Sequence, residues 1–176
     1  HHRDLLMVVD SSNHRVQVFS CDDDEGFSFV SKLGEKGNQP GQLQYPCGIA
    51  IDHDHDRILI INTFDKRVQS WSLSNQSFLS SIGKNDSRDV EFTLPQAIAI
   101  DNHHRRIVVA DVFRNRLVFL SSIDLSFLFE VGKQGSQPGD FNSPSSIAID
   151  HDRCRIIVCD SGNHRMQVLS SIDGSF

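Results

Sequence analysis

The chain has 176 residues, 38% of them hydrophobic, with 17 Lys and Arg against 23 Asp and Glu and a formal charge of −6. That is enough apolar content for one sizeable core, and no apolar run approaches the roughly 20 residues of a membrane-spanning helix, so no membrane insertion is expected. The acidic balance lacks the basic face of a nucleic-acid platform: no DNA contact is expected, and RNA is a partner that the charge does not support.

The first apolar runs are Leu5 to Asp10 (LLMVVD) and Asn13 to Phe19 (NHRVQVF), followed by the acidic run Asp22 to Glu25. A complete unit comes next, with four runs of strand length: Ile49 to Asp52 (a), Ile58 to Ile61 (b), Arg67 to Leu73 (c) and Phe78 to Ile82 (d). The phrase GIAID that ends at Asp52 returns as AIAID at Asp101 and SIAID at Asp150, each time 49 residues on. Pro46, Pro95 and Pro144 keep the same step, as do Gly34, Gly83 and Gly132. From Arg15 to Arg67 the step is 52, which reads as a three-residue loop insertion before Gly34. Self-similarity at such a period marks a solenoid, propeller or array.

No run shows the three-to-four residue recurrence of an amphipathic helix. Strands a and b, nearly continuous in Ile, Val and Ala, should be covered on both faces, whereas c mixes polar and apolar residues as an outer strand would. Small residues alternate with isoleucine in a, as in a crowded innermost strand. The expected fold is therefore one all-β domain, a β-propeller of four-stranded antiparallel blades over approximately 1–34, 35–83, 84–132 and 133–176. The first unit lacks strand a and the last stops where d begins, so about three and a half to four blades are expected. Cys21, Cys47, Cys154 and Cys159 form no CxxC pair, and they read as free thiols of a reducing, cytoplasmic compartment.

Gln137-Pro138-Gly139, Pro144, Ile147 to Asp150, Ile157 to Asp160 and Asn163 to Val168 together resemble the NHL repeat, and the likeness runs over essentially the whole chain. That resemblance implies a closed ring of typically six blades, of which this chain would be a fragment. It also implies a binding platform for proteins or, in ubiquitin ligases of the TRIM-NHL type, for RNA. The middle unit departs from the pattern, with Asp89-Val90 where its neighbours have Pro-Gly. Asn62 also replaces the aspartate found at Asp10, Asp111 and Asp160.

Candidate site residues follow from the topology. The b-to-c and d-to-a loops of a propeller share one face, and the a-to-b and c-to-d loops share the other. Phe64 and Phe113, with Lys66 and Arg114, fall on b-to-c tips and form the candidate binding patch, because exposed aromatics and arginines are common interface anchors. The competing reading is local packing against a neighbouring blade. Asp10 with Arg15, Asp111 with Arg116 and Asp160 with Arg165 read as exposed hairpin ion pairs, worth roughly 0–1 kcal/mol each. The opposite face should be acidic, from Asp22, Asp23, Asp24 and Glu25 and the a-to-b aspartates. Asp52-His53-Asp54-His55-Asp56 reads as a solvated turn, since Arg57 and Thr63 stand where an EF-hand needs Gly and Glu. No metal, cofactor or catalytic residue is expected. Trp71 reads as blade packing. The leading function is a non-enzymatic protein-binding scaffold, with substrate recognition for a ubiquitin ligase as its narrower form and any ligase activity lying outside this chain. The alternatives are a metal-dependent lyase or hydrolase propeller and an RNA-binding domain.

Overall fold

A computed structural model describes residues 4–22, 26–83 and 90–176. Among them, fourteen strands form four antiparallel sheets in chain order. The first sheet holds β1 (Asp4–Asp10), β2 (Arg15–Asp22) and β3 (Gly26–Leu33). The second holds β4 (Pro46–Asp52), β5 (Arg57–Asn62), β6 (Arg67–Ser72) and β7 (Phe78–Gly83). The third repeats this with β8 (Pro95–Asp101), β9 (Arg106–Asp111), β10 (Arg116–Ser121) and β11 (Phe127–Val131). The fourth holds β12 (Pro144–Asp150), β13 (Arg155–Asp160) and β14 (Arg165–Ser170). Strands pair only with sequence neighbours inside each sheet, as a meander of short turns dictates.

Each junction between consecutive sheets is an apolar cluster. Val16, Val18, Ile58, Ile60 and Trp71 fill the first, Leu59, Ile61, Ile107 and Val109 the second, and Val108, Phe119, Ile156 and Val158 the third. The loops before strand a add a plug to each: Leu43, Phe92 and Phe141, again 49 residues apart and buried. This plug explains two of the repeating glycines. Gly34 and Gly132 adopt φ of +79° and +93°, and a Cβ there would sit 2.5 Å from Leu43 and 2.3 Å from Phe141. Only glycine allows both the backbone and the close approach.

Burial departs from the expectation for two strand types. Strand b is covered in the second and third sheets, with every residue of β5 buried, but the a strands are half-exposed. The reason is position: a is an edge strand, and adjacent a strands approach one another instead of packing under a second layer. Gly48 marks that approach, since a Cβ there would lie 2.9 Å from the Gln96 carbonyl oxygen. In the second and third sheets strand c is as buried as b, although it mixes polar residues. Its glutamines are used internally: Gln69 Nε2 donates to the Gln42 carbonyl (2.8 Å) and Gln167 Nε2 to that of Asp140 (2.6 Å). Trp71 packs edge-on against Phe78 at 5.8 Å inside the first junction.

Candidate functional site

The b-to-c face is built on one repeated device. At the end of the b strand in the second, third and fourth sheets a side chain reaches back to hold the loop that precedes strand a. Asp111 accepts the Thr93 and Leu94 amides (3.0 and 2.8 Å), and Asp160 accepts that of Asn142 (2.6 Å). Arginine from strand c completes the site, with Arg15–Asp10 at 2.9 Å, Arg165–Asp160 at 2.8 Å and Arg116–Asp111 at 3.5 Å. Two of these pairs are not the exposed ones expected, because Asp111 and Asp160 are fully buried by the loops they bind, whereas Asp10 and Arg15 stay partly exposed. Burial pushes the Asp160 carboxyl up, but the Asn142 amide, Asn163 and Arg165 outweigh it and hold its pKa below the usual range. In the second sheet Asn62 takes over the loop, accepting the Gln44 amide at 2.6 Å, while Arg67 finds its carboxylate in Asp65 at 3.1 Å. The missing aspartate is thus compensated from inside the turn.

On this frame stand the aromatic rings. Phe64 is 58% exposed and Phe113 is 67% exposed. Phe64 stacks obliquely on Tyr45, 4.6 Å between centroids, and Tyr45 meets the His14 ring edge-on at 4.7 Å. His14 Nδ1 also accepts the Tyr45 amide at 3.1 Å, which anchors the ridge across the junction of the first two sheets. Lys66 is exposed at the same turn as Phe64, in a left-handed conformation with φ of 57°. Phe113 sits in the single 3₁₀ turn Val112–Arg114, and no ring contact joins it to Phe64 among the described residues. Arg114 is not free: its Nε donates to Thr93 Oγ1 (3.0 Å) and its NH2 to Glu91 Oε2 (3.3 Å). A cavity of about 340 Å³ opens beside it, lined by Glu91, Arg114, Arg116, Phe127 and Glu130. The sequence reading missed Tyr45 and His14. The available signal was the chain's one tyrosine standing immediately before Pro46, in a loop that shares a face with the b-to-c tips.

The opposite face is less bare in charge than its composition suggests. Asp52 is buried and accepts His55 Nδ1 at 3.0 Å and Arg57, while Asp101 accepts His104 Nδ1 at 2.8 Å. Burial raises the Asp52 carboxyl, yet the Arg57 and His55 bonds leave its pKa depressed. Asp23, Asp24 and Glu25 of the expected acidic run, and Asp89 of the middle unit, lie outside the described residues. Arg57 also donates to the Ser122 carbonyl of the next sheet, and Arg106 repeats this with Ser171 (3.1 Å) and Ile172 (2.7 Å). Each is a clasp between neighbouring sheets. The His103 and His151 rings lie 5.5 Å apart, but no three potential metal ligands meet at one point among the described residues. All four cysteines are free thiols; Cys47 Sγ lies 2.7 Å from Thr63 Oγ1, and burial pushes its pKa up.

Comparison with known proteins agrees with this architecture. The chain is similar to Kuenenia stuttgartiensis hydrazine synthase, with a TM-score of 0.71 at 14% identity over 97% of this chain and 44% of that one. A functionally unknown protein from Desulfotomaculum acetoxidans gives 0.69 at 16% identity, covering 97% of this chain and 52% of the other. The dihydro-heme d1 dehydrogenase NirN, in complex with DHE, gives 0.67 at 18% identity, covering 99% and 34%. At such identities the likeness concerns the fold alone, and the chain spans about half or less of each of those proteins. No curated protein matches it. An NHL-repeat model matches residues 141–169, and the model DUF5128, described as a 6-bladed beta-propeller, matches residues 1–93. With more than half its length matched, the chain belongs to the 6-bladed beta-propeller family and is built from NHL-type repeats.

Proposed function

We propose that this chain is a non-enzymatic protein-binding platform that engages its partner through the face carrying the b-to-c turns. The observation that carries the reading is the ridge His14–Tyr45–Phe64, whose rings span two sheets while Phe64 stays exposed. Exposed aromatics held by a rigid frame lose little conformational entropy on binding, which is the usual property of interface anchors. Lys66 adds a cation beside Phe64, and Phe113 with Arg114 extends the surface onto the third sheet. The narrower form of this reading, substrate recognition for a ubiquitin ligase, follows from the NHL resemblance and would need a ligase module elsewhere in the assembly.

The test is partner capture by the intact chain and by the double variant Phe64→Ser/Phe113→Ser, with melting temperature measured in parallel. Capture should fall at least tenfold with the melting temperature held within a few degrees. Equal capture by both proteins would sink the proposal.

A further inference from the structure

The turn between β6 and β7 carries a feature that protein binding does not use. It runs Ser72-Leu73-Ser74-Asn75-Gln76-Ser77, and Asn75-Gln76-Ser77 is an N-x-S triplet whose middle residue is not proline. The triplet is held in a defined shape. Asn75 Oδ1 accepts the Ser77 amide at 2.9 Å, the Gln76 amide donates to the Ser72 carbonyl at 2.9 Å, and Gln76 lies in the left-handed region at φ 61°. Asn75 and Ser77 are both exposed. Neither Asn75 Nδ2 nor Ser77 Oγ has a hydrogen-bond partner among the described residues.

The sibling turns set this one apart. Asp124 and Asp173 occupy the same place and accept the Ser126 and Ser175 amides at 3.1 and 3.0 Å. There the serine hydroxyls are also bound to the carboxylate, each at 2.7 Å. A carboxylate therefore makes this turn without help, and only the second sheet substitutes an amide whose nitrogen points to no partner and a serine whose hydroxyl is left open. The turn belongs to the c-to-d side, opposite the aromatic ridge, so a bulky group there would leave the binding face clear.

We propose that Asn75 is an acceptor for an N-linked glycan. The Ser77 amide bond to Oδ1 polarises the carboxamide and sharpens the acidity of Nδ2–H. In the transfer, Nδ2 forms a bond to C1 of a lipid pyrophosphate-linked oligosaccharide as the C1–O bond to pyrophosphate breaks. The lipid pyrophosphate leaves with the bonding pair, and one Nδ2 proton passes to a basic carboxylate of the transferase. Oxidation states do not change.

The test expresses the full chain behind a cleavable secretion signal in a eukaryotic host. Asn85→Gln is present throughout, because Asn85-Asp86-Ser87 is a second triplet of this type outside the described residues. Most secreted molecules should carry one glycan that peptide N-glycosidase removes, converting Asn75 to Asp. Ser77→Ala and Asn75→Asp should each abolish occupancy. Asn75→Asp should also keep the parent melting temperature, since it reproduces the turn of the sibling sheets. Folded, secreted chain with Asn75 unmodified would overturn the proposal, as would a glycan that persists in Asn75→Asp. Occupancy would establish this turn as a competent acceptor and would leave the protein-binding face untouched. The two readings therefore fail separately.

Discussion

At the scale of single residues, the side chain that ends strand b matters most. Asp160 accepts a loop amide, an arginine, Asn163 and Gln167 within one buried site. Removing its charge leaves those donors poorly matched, and unmatched buried polar groups cost more than the bonds themselves contribute. Asp160→Asn should therefore lower stability by about 1–3 kcal/mol, read as a shift in denaturant midpoint with unchanged slope. A neutral result would mean that Asn at this place is accommodated as Asn62 is in the second sheet, and the compensating role given to Asp65 would then be unnecessary.

At the scale of elements, the sheets are joined by apolar clusters and by arginine clasps at the start of strand b. Arg57 reaches Asp52 and the Ser122 carbonyl, Arg106 reaches the Ser171 and Ile172 carbonyls, and the Arg155 side chain makes no hydrogen bond among the described residues. Three equivalent positions thus offer a graded comparison. Arg57→Met should cost about 2–4 kcal/mol because it also strands the buried Asp52, and Arg106→Met about 1–3 kcal/mol. Arg155→Met should lie within about 0.5 kcal/mol of the parent. Hydrogen exchange should place the losses at the second-to-third and third-to-fourth junctions respectively. Equal effects at all three positions would show that the arginines act through packing or net charge and not through the carbonyls they reach.

At the scale of the whole molecule, several carboxyls share one direction of shift. Hydrogen bonds from Ser126 bring Asp124 down to about 2, and Asp10, Asp52, Asp56, Asp160 and Asp173 are also depressed. A carboxyl whose pKa is lower folded than unfolded stabilises the fold above its unfolded value, near 4, and loses that contribution as pH falls through the folded value. Thermal stability from this source should therefore be level between pH 7 and 5 and fall between about pH 4 and 2. A melting curve at pH 3 matching that at pH 6 would contradict the assignment of these bonds. The 49-residue step made the sheets, their strand order and the placing of Phe64 and Phe113 on turns legible, because each unit states its own strands and turns locally. Burial was less legible: strand a looked doubly covered and c looked outer, since composition reports how apolar a strand is and not which neighbours cover it. By itself the sequence determined the repeating sheet and its turn chemistry, which depend on residues close together in the chain. Only the tertiary structure decided that Tyr45 joins Phe64 and His14, and that Arg57 meets a carbonyl 65 residues away. Those contacts are set by the angle and spacing at which one sheet packs on the next, and no periodicity along the chain encodes them.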